Sequence, residues 1–213
     1  TELDRCVTEL GFHGALINSY TSCDGPGGVA YLDEPHFAPF WDEVQRLGVP
    51  IYLHPRQMIA GERTAIRDRP ELTGPVWEFT VDASATALRL ITSGLFDRYP
   101  SVNIILGHLG ETLPFNAWRI DNRLLKAADR PALTRTVTDY LRNNFYFTTS
   151  GHFCTASLRT TLDVVGVDRV MFSTDYPYDD MGQAAQWFDT ADIDEDVRTR
   201  VGSGNARRVF SIR

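Results

Sequence analysis

The chain has 213 residues, 43% of them hydrophobic and 23% charged, with a net charge of −7. That is the composition of an ordinary globular protein long enough to bury a core. The acidic balance argues against a nucleic-acid partner, which calls for a basic face, and no apolar run approaches the roughly 20 residues of a membrane span.

In chain order, Leu3, Cys6, Val7 and Leu10 fall at helical spacing and Gly11 ends the helix. The opening TELDRCVTEL is too polar for a secretory leader. Thr1 has no initiator Met before it, so the expectation is that an amino-terminal part of the protein precedes it. Cys6, Cys23 and Cys154 are odd in number, far apart and without a CxxC pair, which points to a reducing, cytoplasmic setting. A strand is predicted over Ala15–Ser19, then a glycine-rich loop over Thr21–Glu34. Pro35 opens a helix that Gly48 closes. The second strand is Ile51–His54, followed by a charged loop over Pro55–Pro75 and a long helix from about Trp77 to Phe96. A third strand, Asn103–Leu106, precedes a helix carrying Trp118, Ile120, Leu124 and Leu125. The fourth strand is Phe145–Thr149, followed by a helix that starts after Cys154 and stops at Gly166. The fifth is Val170–Ser173, and the remainder reads as polar helix, with Asp192, Asp194, Glu195 and Asp196 near helix starts.

Strands alternating with helices predict an α/β fold with a parallel sheet and right-handed crossovers. Residues 1–213 are expected to form a single domain. The two long loops both follow strands and so sit on one face, where they could act as lids.

Three of the apolar runs end on a residue able to bind metal or move a proton. They are VPIYLHPR, ending on His54; VNIILGHLGE, ending on His108 with Glu111 just beyond; and RVMFSTDYPY, ending on Asp175. The carboxyl ends of strands are where a β/α barrel places its chemistry, but a barrel has eight strands and five are found. His54 reads either as a metal ligand, since neutral imidazole suits Zn²⁺ and Mn²⁺, or as a hydrogen-bonded structural histidine. His108 and Glu111 can form a pair that fixes the imidazole tautomer and raises its basicity; the alternative for Glu111 is a capped helix start. Asp175, after so apolar a run, needs a cation, a donor or a function, and Tyr176, Pro177 and Tyr178 would supply a rigid aromatic wall. Arg119 could hold a carboxylate or be a solvated helix arginine. Asn18 would face the barrel mouth. His13 and His36 are expected to be exposed, and His152 is placed to line the pocket. Cys23 and Cys154 read as buried or incidental rather than as nucleophiles. There is no dinucleotide-binding, phosphate-loop or nucleophile-elbow motif. The one lysine, Lys126, lies in a helix, which excludes most lysine-dependent mechanisms.

The motifs YLHPR, SGLFDRYP, GHLGE followed by LPFNAWRID, FYFTTSG and FSTDYPY together resemble the amidohydrolase superfamily, in its aminocarboxymuconate-semialdehyde decarboxylase-like branch. Within it the chain looks most like the hydroxybenzoate decarboxylases that act on γ-resorcylate or 2,3-dihydroxybenzoate. The resemblance implies a (β/α)8 TIM-type barrel of which about the first three strands are missing from residues 1–213, leaving strands 4–8. It implies His54 and Asp175 as metal ligands, Asp175 also as proton donor, and His108 with Glu111 as the catalytic pair. It places Arg119, Asn18 and Tyr178 where substrate contacts fall. No predicted strand here carries the family's first-strand ExH or HxH motif, which supplies further ligands. The implied cofactor is one divalent metal, Zn²⁺ or Mn²⁺, with Mg²⁺ as a further candidate.

The implied reaction is reversible, metal-dependent, non-oxidative decarboxylation of a hydroxylated benzoate to a phenol and CO2, a carboxy-lyase activity. The alternatives are a mononuclear metal hydrolase of a lactone or amide, or an inactive barrel fragment. Binuclear hydrolases of the superfamily often use a carboxylated strand-four lysine, and GALINSY has none. The expected partners are a small aromatic carboxylate and further copies of the chain, as a homodimer or homotetramer, with neither nucleic acid nor membrane.

Overall fold

Odd-numbered residues of the first strand, Ala15 and Ile17, and their counterparts along the sheet form an apolar row that must be covered. In the computed structural model, which describes residues 1–24, 28–59 and 61–212, helices cover it. The elements in chain order are α1 (Glu2–Thr8), β1 (Ala15–Asn18), β2 (Tyr20–Ser22), β3 (Val29–Tyr31), α2 (Ala38–Leu47), β4 (Ile51–His54), α3 (Glu78–Thr92), α4 (Leu95–Arg98), β5 (Ile104–Leu106), α5 (Leu113–Leu124), α6 (Val137–Asn144), β6 (Phe145–Thr148), α7 (Thr155–Val165), β7 (Val170–Met171), α8 (Met181–Thr190), α9 (Glu195–Thr199) and α10 (Asn205–Phe210).

Five strands pair in parallel in the order β1-β4-β5-β6-β7. The expected parallel sheet is therefore present, with its strands in chain order, and β1 and β7 are its two edges. Its registers place Leu16 opposite Tyr52 and Asn18 opposite His54. They place Leu53 opposite Leu106 and Thr148 opposite Met171. Period-two alternation then divides the sheet into two faces. Ile51, Leu53, Ile104, Leu106, Phe145, Phe147 and Val170 lie on one, in a single core with Trp41, Leu90, Ile91, Phe96, Tyr140 and Leu158 from the helices. Asn18, Tyr52, His54 and Thr148 lie on the other, which carries the polar groups.

Several boundaries differ from the sequence reading. The glycine-rich loop holds an antiparallel hairpin, β2 against β3; Gly25, Pro26 and Gly27 within it lie outside the described residues. The charged loop is wound into 3₁₀ turns at Glu62–Ile66, Pro70–Leu72 and Gly74–Val76, with Ala60 outside the described residues. The long helix breaks at Gly94, whose backbone is left-handed (φ 73°). β7 stops two residues early because Phe172 N–H bonds to Val201 O, turning the chain toward the last helices. Beyond that point Thr149 replaces the ladder: its hydroxyl donates to Ser173 O at 2.8 Å and accepts from Ser173 N at 2.9 Å. Helix α6 has no counterpart in the sequence reading, although Thr136 and Asp139 cap each other reciprocally at its start. Among the described residues no helix is long and apolar enough to cross a membrane.

Candidate active site

After β5 the chain does not enter a helix directly. His108, Leu109 and Glu111 all take positive φ (51°, 56° and 60°), a backbone cost that surrounding contacts must hold in place. The turn brings His108 Nδ1 within 2.5 Å of Glu111 Oε1. A carboxylate only accepts, so Nδ1 carries the proton and Nε2 is left facing the site. Nε2 lies 4.0 Å from Asp175 Oδ2. Asp175 also has positive φ (66°), and its other oxygen accepts a 2.8 Å bond from Ser150 Oγ. Burial draws the His108 imidazole down, but the bond to Glu111 and the charges of Glu111, Asp175 and Asp179 outweigh it, and the pKa is raised above the ordinary value. The site thus holds an imidazole whose Nδ1 proton is fixed by Glu111 and whose pKa is raised, set against an oriented carboxylate.

His54 ends β4 beside Asn18, with its ring edge-on to Phe79 at 6.4 Å between centroids. Imidazole and carboxylate side chains at the ends of parallel strands are donor types that suit a divalent cation. Among the described residues, however, no group of three or more His, Cys, Asp or Glu side chains could hold a metal. His54 and Asp175 remain the two candidate donors that the sequence offers.

The remaining sequence candidates fall out differently. Asn18 is brought next to His54 by register. His152 lies beside the pair, with Nδ1 3.3 Å from His108 O. His13 and His36 are exposed, as expected. Arg119 sits on the exposed side of α5, next to the exposed Trp118. Tyr176 and Tyr178 are 70% and 84% exposed. The chain turns at Asp175, with Tyr178 N–H bonded to Asp175 O, so the two rings form no closed wall here.

Sequence reasoning missed four residues. Ser150 and Gly151 follow a strand, and that position is a usable signal. A Cβ on Gly151 (φ 62°) would lie 3.1 Å from both Asp175 Oδ2 and His108 Cδ2, and 3.2 Å from Asp179 Oδ2. Only glycine leaves this junction open, and Asp179 is thereby placed at the site. Thr80, which donates a 2.8 Å bond to Glu111 Oε2, has no sequence signal, because its partner is 31 residues away.

Cys23 and Cys154 are both exposed, which corrects the expectation that they could be buried. Hydrogen bonds from the Ser157 side chain and backbone lower the Cys154 pKa, whereas burial and then the Glu2 carboxylate push Cys6 up. The thiolate is the reacting form. Iodoacetamide at neutral pH is therefore expected to alkylate Cys154 before Cys6, as read by peptide mass spectrometry.

Comparison with known proteins extends this geometry. The amidohydrolase family model matches residues 1–212. The γ-resorcylate decarboxylase of Polaromonas sp. (strain JS666) is 43% identical over 213 residues, covering 99% of this chain and 65% of the relative. A crystal structure of 2,6-dihydroxybenzoate decarboxylase with bound 2,6-dihydroxybenzoate superposes at a TM-score of 0.93 and 44% identity, covering 99% of this chain and 66% of that one. The dihydroxybenzoic acid decarboxylase of Polaromonas sp. JS666, solved with manganese and 2-nitroresorcinol, gives 0.94 and 43%, covering 99% and 64%. The chain thus spans about two thirds of the length of the relatives it matches. With a family match over nearly every residue, and with the parallel sheet and strand-end site already described, the chain belongs to the amidohydrolase family.

Proposed function

We propose that the protein is a metal-dependent, non-oxidative decarboxylase of a hydroxylated benzoate, with 2,6-dihydroxybenzoate as the first candidate substrate. The observation that carries this reading is the His108–Glu111 pair set 4.0 Å from a Ser150-held Asp175. It stands in a chain 43% identical to a γ-resorcylate decarboxylase.

The five-stranded sheet is taken as strands 4–8 of a (β/α)8 barrel, and residues 1–213 as one domain. Its two open edges and the length of the relatives support this. His54 and Asp175 would hold one divalent cation, with further ligands from outside the described residues. Held by these residues, a divalent cation would supply Lewis-acid stabilisation of negative charge developing on the substrate. Asp175 delivers a proton to the ring carbon bearing the carboxylate. His108, its Nδ1 fixed by Glu111, hydrogen-bonds or exchanges protons through Nε2 with the dearomatised ring, and CO2 leaves as aromaticity returns. Asn18, opposite His54 in register, would contact substrate; Arg119 and Tyr178 are the remaining contacts in this reading. The exposed Phe115 (83%) and Trp118 (76%) on α5 support self-association as a homodimer or homotetramer. We also propose a cytoplasmic location, from the cysteine pattern.

The test is a panel of hydroxybenzoates assayed for CO2 release by the full-length, metal-loaded protein. Release of CO2 with the matching phenol is expected. Turnover of lactones or amides with water consumed, and no CO2, would replace this reading with the hydrolase.

Gly151 gives a second expectation. Gly151→Ala is expected to lower turnover on the order of 100-fold, because displacing reacting groups by about 1 Å costs that much. Gly48→Ala is the control: it has the same left-handed backbone (φ 67°), but nothing lies within 4 Å of the added methyl. It should lower the melting temperature and leave kcat unchanged, as measured by thermal melts and steady-state rates.

A further inference from the structure

Glu111 has one carboxylate oxygen on His108, and its side chain is only 5% exposed. The other oxygen needs a partner, since a buried acceptor left unpaired is costly. Thr80 Oγ1 supplies it at 2.8 Å. One helical turn further along α3, Ser84 Oγ lies 3.1 Å from Thr112 Oγ1. Two successive rungs of α3 therefore tie down the end of the left-handed turn that carries His108 and Glu111.

The helix making these ties is itself held. Glu78 accepts from Met58 N and Gly74 N, each at 2.8 Å, and pairs with Arg63 Nε at 2.9 Å. Asp82 accepts from Arg56 N at 2.8 Å. Both carboxylates are buried. Thr80 thus lies between two anchored residues, and its hydroxyl is presented to Glu111 from a fixed mount. Without that hydroxyl the carboxylate could turn about its last bond, and His108 would lose the reference that selects its tautomer.

We propose that Thr80 is a positioning residue, acting through Glu111 to hold the His108 imidazole in the Nδ1-protonated orientation. The turnover part of its test rests on the decarboxylase reading; the tautomer part does not. Histidine-labelled, full-length protein is compared as wild type, Thr80→Val, Thr80→Ser and His108→Asn, the last assigning the resonance. Long-range ¹H–¹⁵N correlation reports the tautomer of His108, and kcat and KM for 2,6-dihydroxybenzoate are measured in parallel. In Thr80→Val the Nδ1 signal is expected to move toward a tautomer mixture. Its kcat should fall roughly 10–100-fold, the loss typical of removing an orienting partner, with KM unchanged. Thr80→Ser should restore both. Thr80→Ala serves as a second hydroxyl-free variant if the valine chain does not fold. Identical His108 signals in wild type and the hydroxyl-free variants would overturn the proposal, as would equal losses in Val and Ser. A tautomer response that follows the hydroxyl, in a wild type that releases no CO2, would uphold the tether and sink the decarboxylase reading.

Discussion

His54→Ala is expected to strip metal from the full-length protein along with its activity, whereas His108→Asn is expected to keep the metal and lose roughly 10²–10⁴-fold in turnover. The two histidines end neighbouring strands, yet their surroundings differ. The His54 ring meets Phe79 edge-on, and among the described residues its nitrogens have no hydrogen-bond partner. An imidazole of that kind at a rigid strand end is available for coordination. His108 is committed on one side by the 2.5 Å bond to Glu111 and has only Nε2 to offer. A ring held in that way, with a pKa raised by the same carboxylate against the pull of burial, is suited to handling protons. Metal content by elemental analysis, alongside kcat on the responsive hydroxybenzoate, separates the roles. Equal metal loss in both variants would make His108 a ligand and remove it from proton transfer.

The strand ends are the legible part of this site. A parallel strand buried on both sides must be apolar throughout, so a lone His or Asp closing such a run stands out from one sequence alone. His54, His108 and Asp175 stand out in that way. Glu111 is legible because it lies three residues from His108, within reach of a single turn. Ser150 is not, although it follows β6 in the same way, because serine is common in loops and its bond to Asp175 spans 25 residues. Thr80 lies on a helix face that periodicity assigns to packing, and its role exists only once α3 crosses the loop after β5. The same limit explains the fold errors. The β2–β3 hairpin and the early end of β7 are set by pairings that apolar periodicity does not reveal, Tyr20 with Tyr31 and Phe172 with Val201. The exposure of Arg119, Tyr176 and Tyr178 is likewise tertiary, since each sits in a motif whose residue types give no sign of which way they face.

Asp175→Asn is expected to abolish decarboxylation while still permitting some substrate binding. In the proposed mechanism two demands fall on this one side chain. As a ligand it must stay charged, and a cation beside it favours that form. As the donor to the ring carbon it must carry a proton. The structure divides the two oxygens between different neighbours. Oδ1 is held by Ser150 at 2.8 Å. Oδ2 lies toward His108 Nε2 at 4.0 Å, across the gap that Gly151 leaves open. An imidazolium at His108 can replenish a proton on Oδ2 once the side chains close by about 1 Å to hydrogen-bonding distance. The amide introduced by Asp175→Asn would keep the shape and the Ser150 contact but neither carry nor relay that proton. The variant should therefore also lose exchange of solvent deuterium into the phenolic product at the carbon that bore the carboxylate, because that exchange uses the same donor. The measurement is mass spectrometry of the phenol after incubation in deuterium oxide, with metal content checked in the same sample. A metal-loaded Asp175→Asn enzyme that still exchanged deuterium at that carbon would assign the proton to His108 itself. Asp175 would then remain as a ligand and as part of the field that raises the imidazole's pKa.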